Sequence, residues 1–250
     1  MSNKKLTVVI LANNEEYHIG NAIKSLQGLN ADILLIDSGS TDNTIDIAKS
    51  LGARVVSSPW QNDFAYQRNQ AKKYADTPWL FFLDSDERVT DALKDSINKA
   101  IEGDFYLYEI KRVTDSLGGA HKFGAFSPDY VKRLMPREAE WIGKVHEHPE
   151  CDFPVKRLDG YMTHEPYKNW SNWLNKVDNY SEIFAKERLN KNISLFSPFI
   201  HSFLGFIKMY VIKGGFLDGA LGLNMSLAHA FYTFMKYVKL IEKQQTKQKI

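Results

Sequence analysis

The chain has 250 residues, 44% of them hydrophobic and 25% charged, with a formal net charge of +2. That length carries one full α/β domain plus an extension, the composition excludes disorder over most of the chain, and the near-neutral charge argues against a dedicated nucleic-acid binder. The single cysteine, Cys151, excludes an internal disulfide and fits a cytoplasmic protein.

In chain order, the opening MSNKKLTVVILANNEE has two lysines and a short apolar run, but acids follow at once. It reads as a first core strand, not a signal peptide. Residues 6–12 are almost continuously apolar, as a strand buried on both faces should be. Ile19, Ala22, Ile23 and Leu26 recur at helical spacing within 15–26. A second buried strand, 33–36, ends at Asp37-Ser38-Gly39-Ser40. Thr41 or Asp42 can cap the next helix, which has Ile45, Ile47, Ala48 and Leu51 on its apolar face and Gly52 at its end. A strand at 53–56, a helix at 64–74, a strand at 79–83, a helix at 91–101 and an extended stretch at 105–111 follow. This alternation predicts a mainly parallel sheet flanked by helices, with ligands at the carboxyl ends of its strands. The polar runs Asn13-Asn14-Glu15-Glu16, Asp37-Ser38-Gly39-Ser40 and Asp84-Ser85-Asp86 each follow a strand. All three should gather on one edge.

Residues 113–165 are less regular, with clustered His, Trp and Pro and a strand-like stretch at 160–163. An amphipathic helix at 169–192 precedes two more, at 197–213 and 217–243. We therefore expect a catalytic domain over 1–165, divided near 112, and a helical extension over 166–250. From Phe196 onward there are seven lysines against two acids, together with ten Phe or Tyr residues. A basic, aromatic-rich extension is what an anionic membrane surface attracts. Its longest uncharged runs, 193–207 and 219–235, fall short of the roughly 18 residues of a spanning helix. The extension is expected to lie on a membrane, although residues at the helical spacing of Phe203, Phe206, Ile207 and Tyr210 are more often core than anchor, and one face can serve each.

The stretch WLFFLDSDERV ends a buried strand on three acids within four positions. Like charges this close repel. Either water solvates them in a plain turn, or a cation sits there; carboxylate oxygens suit Mg²⁺ or Mn²⁺. A zinc-protease reading of His146-Glu147-His148 fails, because two ligands on one helical face need i, i+4 spacing.

TVVILANNEE, LLIDSGSTDNT, FAYQRNQA and FFLDSDERV, in that order, resemble glycosyltransferase family 2 with its GT-A fold, a Rossmann-like sheet. PDYVKRLMPR, WIGKVHEH and FIKMYVIKGGFLDGALG further resemble bacterial lipopolysaccharide core glucosyltransferases, which add glucose to an inner-core heptose. The resemblance implies inverting transfer of a hexose, from UDP-glucose, at the inner face of the cytoplasmic membrane. It implies that Asp86 ligates a divalent cation, that Asp84 contacts the ribose or a metal-bound water, and that His164 reaches the same metal. Ala12, Asn14, Glu15, Asp37 and Ser38 would hold the nucleoside, with more weight on Asp37, because many relatives carry a second acid where Ser38 stands. Arg68 and Asn69 would reach the diphosphate. The general base would be Glu147, with Asp129 second, and His146 and His148 as further candidates. A glycan or protein acceptor of another kind, or a non-catalytic sugar-nucleotide subunit, is the rival reading. A nucleotidyltransferase needs a basic, glycine-rich loop where Asn13-Asn14-Glu15-Glu16 has the wrong charge.

Overall fold

The computed structural model describes residues 4–126, 129–143 and 147–247. The chain forms two units: Met1–Arg112 with Asp129–His164, and Val113–Pro128 with Glu165–Ile250. Residues 113–128 thus group with the helical part of the chain.

The first unit opens with β1 (Leu6–Ala12), α1 (Ile19–Ser25), β2 (Ala31–Asp37), α2 (Thr44–Ser50), β3 (Arg54–Ser57), α3 (Phe64–Gln70) and β4 (Trp79–Asp84). A short β5 (Glu87–Val89), unforeseen in the sequence, and α4 (Asp91–Ala100) follow. β6 (Leu107–Ser116) runs into the second unit, where its far end pairs with β7 (Gly119–His121). The first unit resumes with β8 (Asp129–Pro136), β9 (Glu140–Ile142), β10 (His148–Glu150) and β11 (Val155–His164).

The main sheet has the order β3-β2-β1-β4-β8-β6-β11-β5. Its first four strands are parallel, whereas β8 is antiparallel to β4 and to β6, and β11 to β5. The sheet is therefore mixed, where the alternating pattern of the first 110 residues led to a mainly parallel one; that pattern carries no information about the strands beyond it. The apolar runs have a simple cause. Trp79, Phe81 and Leu83 of β4 pack into one core with Val8, Ile10 and the apolar faces of α1 and α4. Leu80 and Phe82 pack into a second core with Val9, Leu34, Ile36 and Trp141. Alternate residues serve opposite faces, so both sets must be apolar.

Register places the strand ends. Ala12 lies opposite Asp37, and Leu11 opposite Asp84, so the polar runs after β1, β2 and β4 share one edge. β5 then pairs with β11 so that Glu87 faces His164. Gly160 of β11 has φ +87° and lies directly under α4, where a Cβ would come 2.5 Å from the Leu93 nitrogen.

The second unit is built on α5 (Trp170–Glu187), α6 (Ser197–Ile207) and α7 (Gly219–Lys247). Trp173, Val177, Met225 and Ala228 form its core. The helix expected over 197–213 stops at Ile207 and widens into a π-turn over Lys208–Ile212. Gly214, left-handed at φ +70°, then turns the chain, and α7 packs so closely that a Cβ on Gly222 would overlap the Gly215 carbonyl. Among the described residues, no helix is long and apolar enough to cross a membrane.

Candidate active site

The acidic run after β4 divides into two fates. Asp84 accepts from Arg68 Nη2 of α3 at 3.0 Å and pairs with Arg133 of β8. Glu87 has no exposed surface. Its Oε1 accepts from Arg133 at 2.9 Å and from Arg112 at 3.1 Å, and its Oε2 accepts the Asp84 backbone N–H at 2.9 Å. Arg112 in turn donates from Nε to Asp129 at 2.9 Å. Three acids and three arginines alternate along this line, so each buried charge has a partner, as burial demands. Burial pushes the Asp84 carboxyl up, but the charges of Arg133 and Arg68 outweigh it and hold that carboxyl well below the usual carboxylate range.

Asp86 stands outside this line. Its Oδ2 lies 3.3 Å from His164 Nε2, and the two side chains remain 25% and 17% exposed. The β5–β11 register causes this meeting by drawing the end of β11 alongside the Ser85-Asp86 turn. Arg88 fixes that turn from behind, donating to the Ser85 carbonyl at 2.7 Å and approaching His18 Nδ1 at 3.3 Å.

Arg68 is positioned by local chemistry. Asp63 caps α3 by accepting the Tyr66 N–H at 2.9 Å, and one and a half turns later Arg68 points back at the sheet edge. Its guanidinium stacks on Trp141, 4.6 Å from the ring centroid. Its Nε is 3.5 Å from Glu147 Oε1. Among the described residues, Arg68 Nε and Nη1 are buried without a hydrogen-bond partner. A buried cation with spare donors is suited to an anionic ligand.

The other expected residues are placed as follows. The loops after β1 and β2 are stitched together: Ala12 O accepts Ser38 N–H at 2.9 Å, Asn14 (φ +56°) accepts Thr41 N–H at 2.8 Å, and Glu15 N–H donates to Thr44 Oγ1 at 2.7 Å. Asp37 is buried and accepts from Gly39 and Ser40 N–H at 2.9 and 3.1 Å, which shapes the rim from within. Ser38 Oγ accepts from the buried Gln67 at 3.1 Å. Asn69 does not reach toward the edge: its amide clamps Trp141, donating to the carbonyl at 2.8 Å and accepting the N–H at 3.0 Å. Asp129 is tied to Arg112, and Glu147 lies beside Arg68. His148 begins β10, and His146 lies outside the described residues. Sequence reasoning missed Arg133, Arg112, Gln67 and the buried role of Glu87. The only signal for the two arginines was a Lys-Arg pair within each strand, in EIKRV and VKRLM, and it does not mark which of the two basic residues is buried.

Residues 7–148 match the sequence profile of glycosyl transferase family 2. An uncharacterised glycosyltransferase of Rickettsia bellii is 36% identical over 260 residues, covering 96% of this chain and 87% of that one. The lipopolysaccharide core biosynthesis glycosyltransferase LpsC of Rhizobium meliloti is 26% identical, with 97% of this chain and 94% of that protein covered. Among solved structures, S. aureus TarS 1-349 aligns with a TM-score of 0.44 and 16% identity, over 97% of this chain and 89% of that one. The protein is a glycosyltransferase. It belongs to glycosyl transferase family 2, and its mixed sheet with flanking helices and a long C-terminal helix is the GT-A type expected from the motifs.

Proposed function

We propose that the protein is an inverting, metal-dependent hexosyltransferase that moves glucose from UDP-glucose to an inner-core sugar such as heptose on lipopolysaccharide. The approach of Asp86 and His164 to 3.3 Å at the strand edge carries this reading. The likeness to a lipopolysaccharide core enzyme over nearly the whole chain supports the acceptor class.

The donor set fits a hard divalent cation, Mg²⁺ or Mn²⁺. Among the described residues no group of three or more His, Cys, Asp or Glu converges; two protein ligands, with the substrate's phosphates and water completing the shell, is the usual way Mg²⁺ is held. Asp86 and His164 would hold the ion, which when bound supplies counter-charge for a departing nucleoside diphosphate. Arg68 directs its spare Nη1 group at the diphosphate. The rim from Ala12 to Glu15, with Asp37 and Ser38, holds the nucleoside, and Asp84 faces the ribose while orienting Arg68. Glu147, positioned by Arg68, takes the proton of the acceptor hydroxyl as its oxygen bonds to the anomeric carbon. The bond from that carbon to the phosphate oxygen breaks on the opposite face and UDP leaves. A lipid-linked acceptor places the work at the inner face of the cytoplasmic membrane, with the helical unit lying on it.

The test is UDP release from UDP-glucose with Mn²⁺ or Mg²⁺, with and without EDTA. Asp86→Ala should abolish metal-dependent release. Glu147→Gln should lower turnover by about 10²–10⁴-fold while donor binding, read by calorimetry, is kept. If no UDP- or GDP-sugar turns over although one binds, the non-catalytic subunit reading replaces this one.

A further inference from the structure

We propose that α6 and the turns after it form an apolar wedge that inserts into one leaflet of a bilayer carrying anionic lipids. This deepens the reading of a lipid-linked acceptor by naming the element that holds the enzyme to the membrane. Helix α6 is turned inside out for a water-soluble protein. Phe196, Phe199 and Phe203 recur at three- to four-residue spacing and are 70%, 63% and 64% exposed, and Ile212 in the π-turn is 76% exposed. On the side toward α7, Ser202 Oγ donates to the Ala230 carbonyl at 2.8 Å, and the His201 ring, itself exposed, stacks on Tyr237 at 4.2 Å. Leu204 and Leu217 continue the exposed apolar surface. A patch of this kind on a monomer marks a docking face.

Charge chooses the occupant. From Arg188 to Leu217 there is no acid, while Arg188, Lys191, Lys208 and Lys213 flank the apolar residues in sequence. The first acid beyond, Asp218, is committed to the Lys122 and Phe123 backbone N–H groups at 3.0 and 2.9 Å. Two copies meeting through this face about a twofold axis would set lysines against lysines, whereas phosphate headgroups neutralise them. Eleven residues of α6 rise about 16 Å, about half of a hydrocarbon core, so the helix lies in the leaflet.

The experiment uses the full chain and vesicles of phosphatidylcholine with or without phosphatidylglycerol, without nucleotide sugar. Its failure is therefore distinct from failure of the transferase reading. A Phe203→Trp variant should show blue-shifted emission on vesicles and quenching by brominated acyl chains. The double variant Phe199→Ser/Phe203→Ser should lose about tenfold or more in partitioning and keep the wild-type circular dichroism spectrum and melting temperature, which confirms folding. Lys208→Glu/Lys213→Glu should weaken binding to the anionic vesicles alone. Unshifted Phe203→Trp emission, equal partitioning of the Phe→Ser double variant, or a dimer that buries the face and ignores vesicles would each overturn the proposal.

Discussion

Glu87 shows at the residue scale why an acidic run can end a buried strand. It is fully buried, and two arginines from other strands bond to the same carboxylate oxygen. Arg133 is the shared member, since it also pairs with Asp84. Replacing it by Met leaves each acid with one arginine and removes the bridge between them. Breaking a buried pair in this way costs about 3 kcal/mol, so the urea midpoint of Arg133→Met should fall accordingly. Arg133→Lys should recover little, because one ammonium cannot reproduce a planar fork across two carboxylates. The acids were legible in the sequence as an anomaly. Their partners were not, because Arg68 stands 16 and Arg133 49 positions from Asp84, and no local pattern links them. Asp86 and His164 were each read as metal candidates from the family motifs, but their meeting depends on the pairing of β5 with β11.

The split core explains, at the scale of elements, what was easy and what was hard. Strands buried on both faces read as continuous apolar runs, so β1, β2 and β4 were visible. β11 is mostly exposed over its first half and offers no such run; only the stretch 160–163 stood out. What fixes β11 is steric. Gly160 combines a left-handed backbone with contact against α4. Gly160→Ala adds a carbon where the Leu93 backbone already sits, and strains φ as well, so a loss of about 2 kcal/mol or more is expected in chemical denaturation. Gly103→Ala is the control: its Cβ would meet only the Ala100 carbonyl, at 3.7 Å, and should stay within about 0.5 kcal/mol. α6 makes the opposite point. Its apolar spacing is found more often in cores than in anchors and does not decide between them, because periodicity reports which residues share a face and not what that face meets.

The whole molecule carries its charge unevenly, and the basic helical unit has a consequence for stability. His229 of α7 is held neutral: burial first, then the charges of Lys236, Lys208 and Lys213, push its pKa down to about 4. In the unfolded chain the same group takes its proton near pH 6.5. Between these values the unfolded state binds the extra proton, so stability falls as pH drops from about 6.5 to about 4 and is flat above. Melting followed by circular dichroism from pH 7.5 to 4.5 should show this slope in the wild type. His229→Gln should reduce it, since nothing at that position then titrates.

The sequence by itself determined the parallel half of the sheet, the polar character of its carboxyl edge, the family and the basic, aromatic helical extension, because periodicity, strand-end composition and short motifs are local properties of a chain. Tertiary structure alone decided which acids are paired with arginines and which one meets a histidine, that the Asn69 amide clamps Trp141, and that the apolar face of α6 points to solvent. Those outcomes depend on which distant segments lie side by side, and burial makes them consequential: a charge or an apolar ring costs or stabilises according to what surrounds it, which no single stretch of sequence contains.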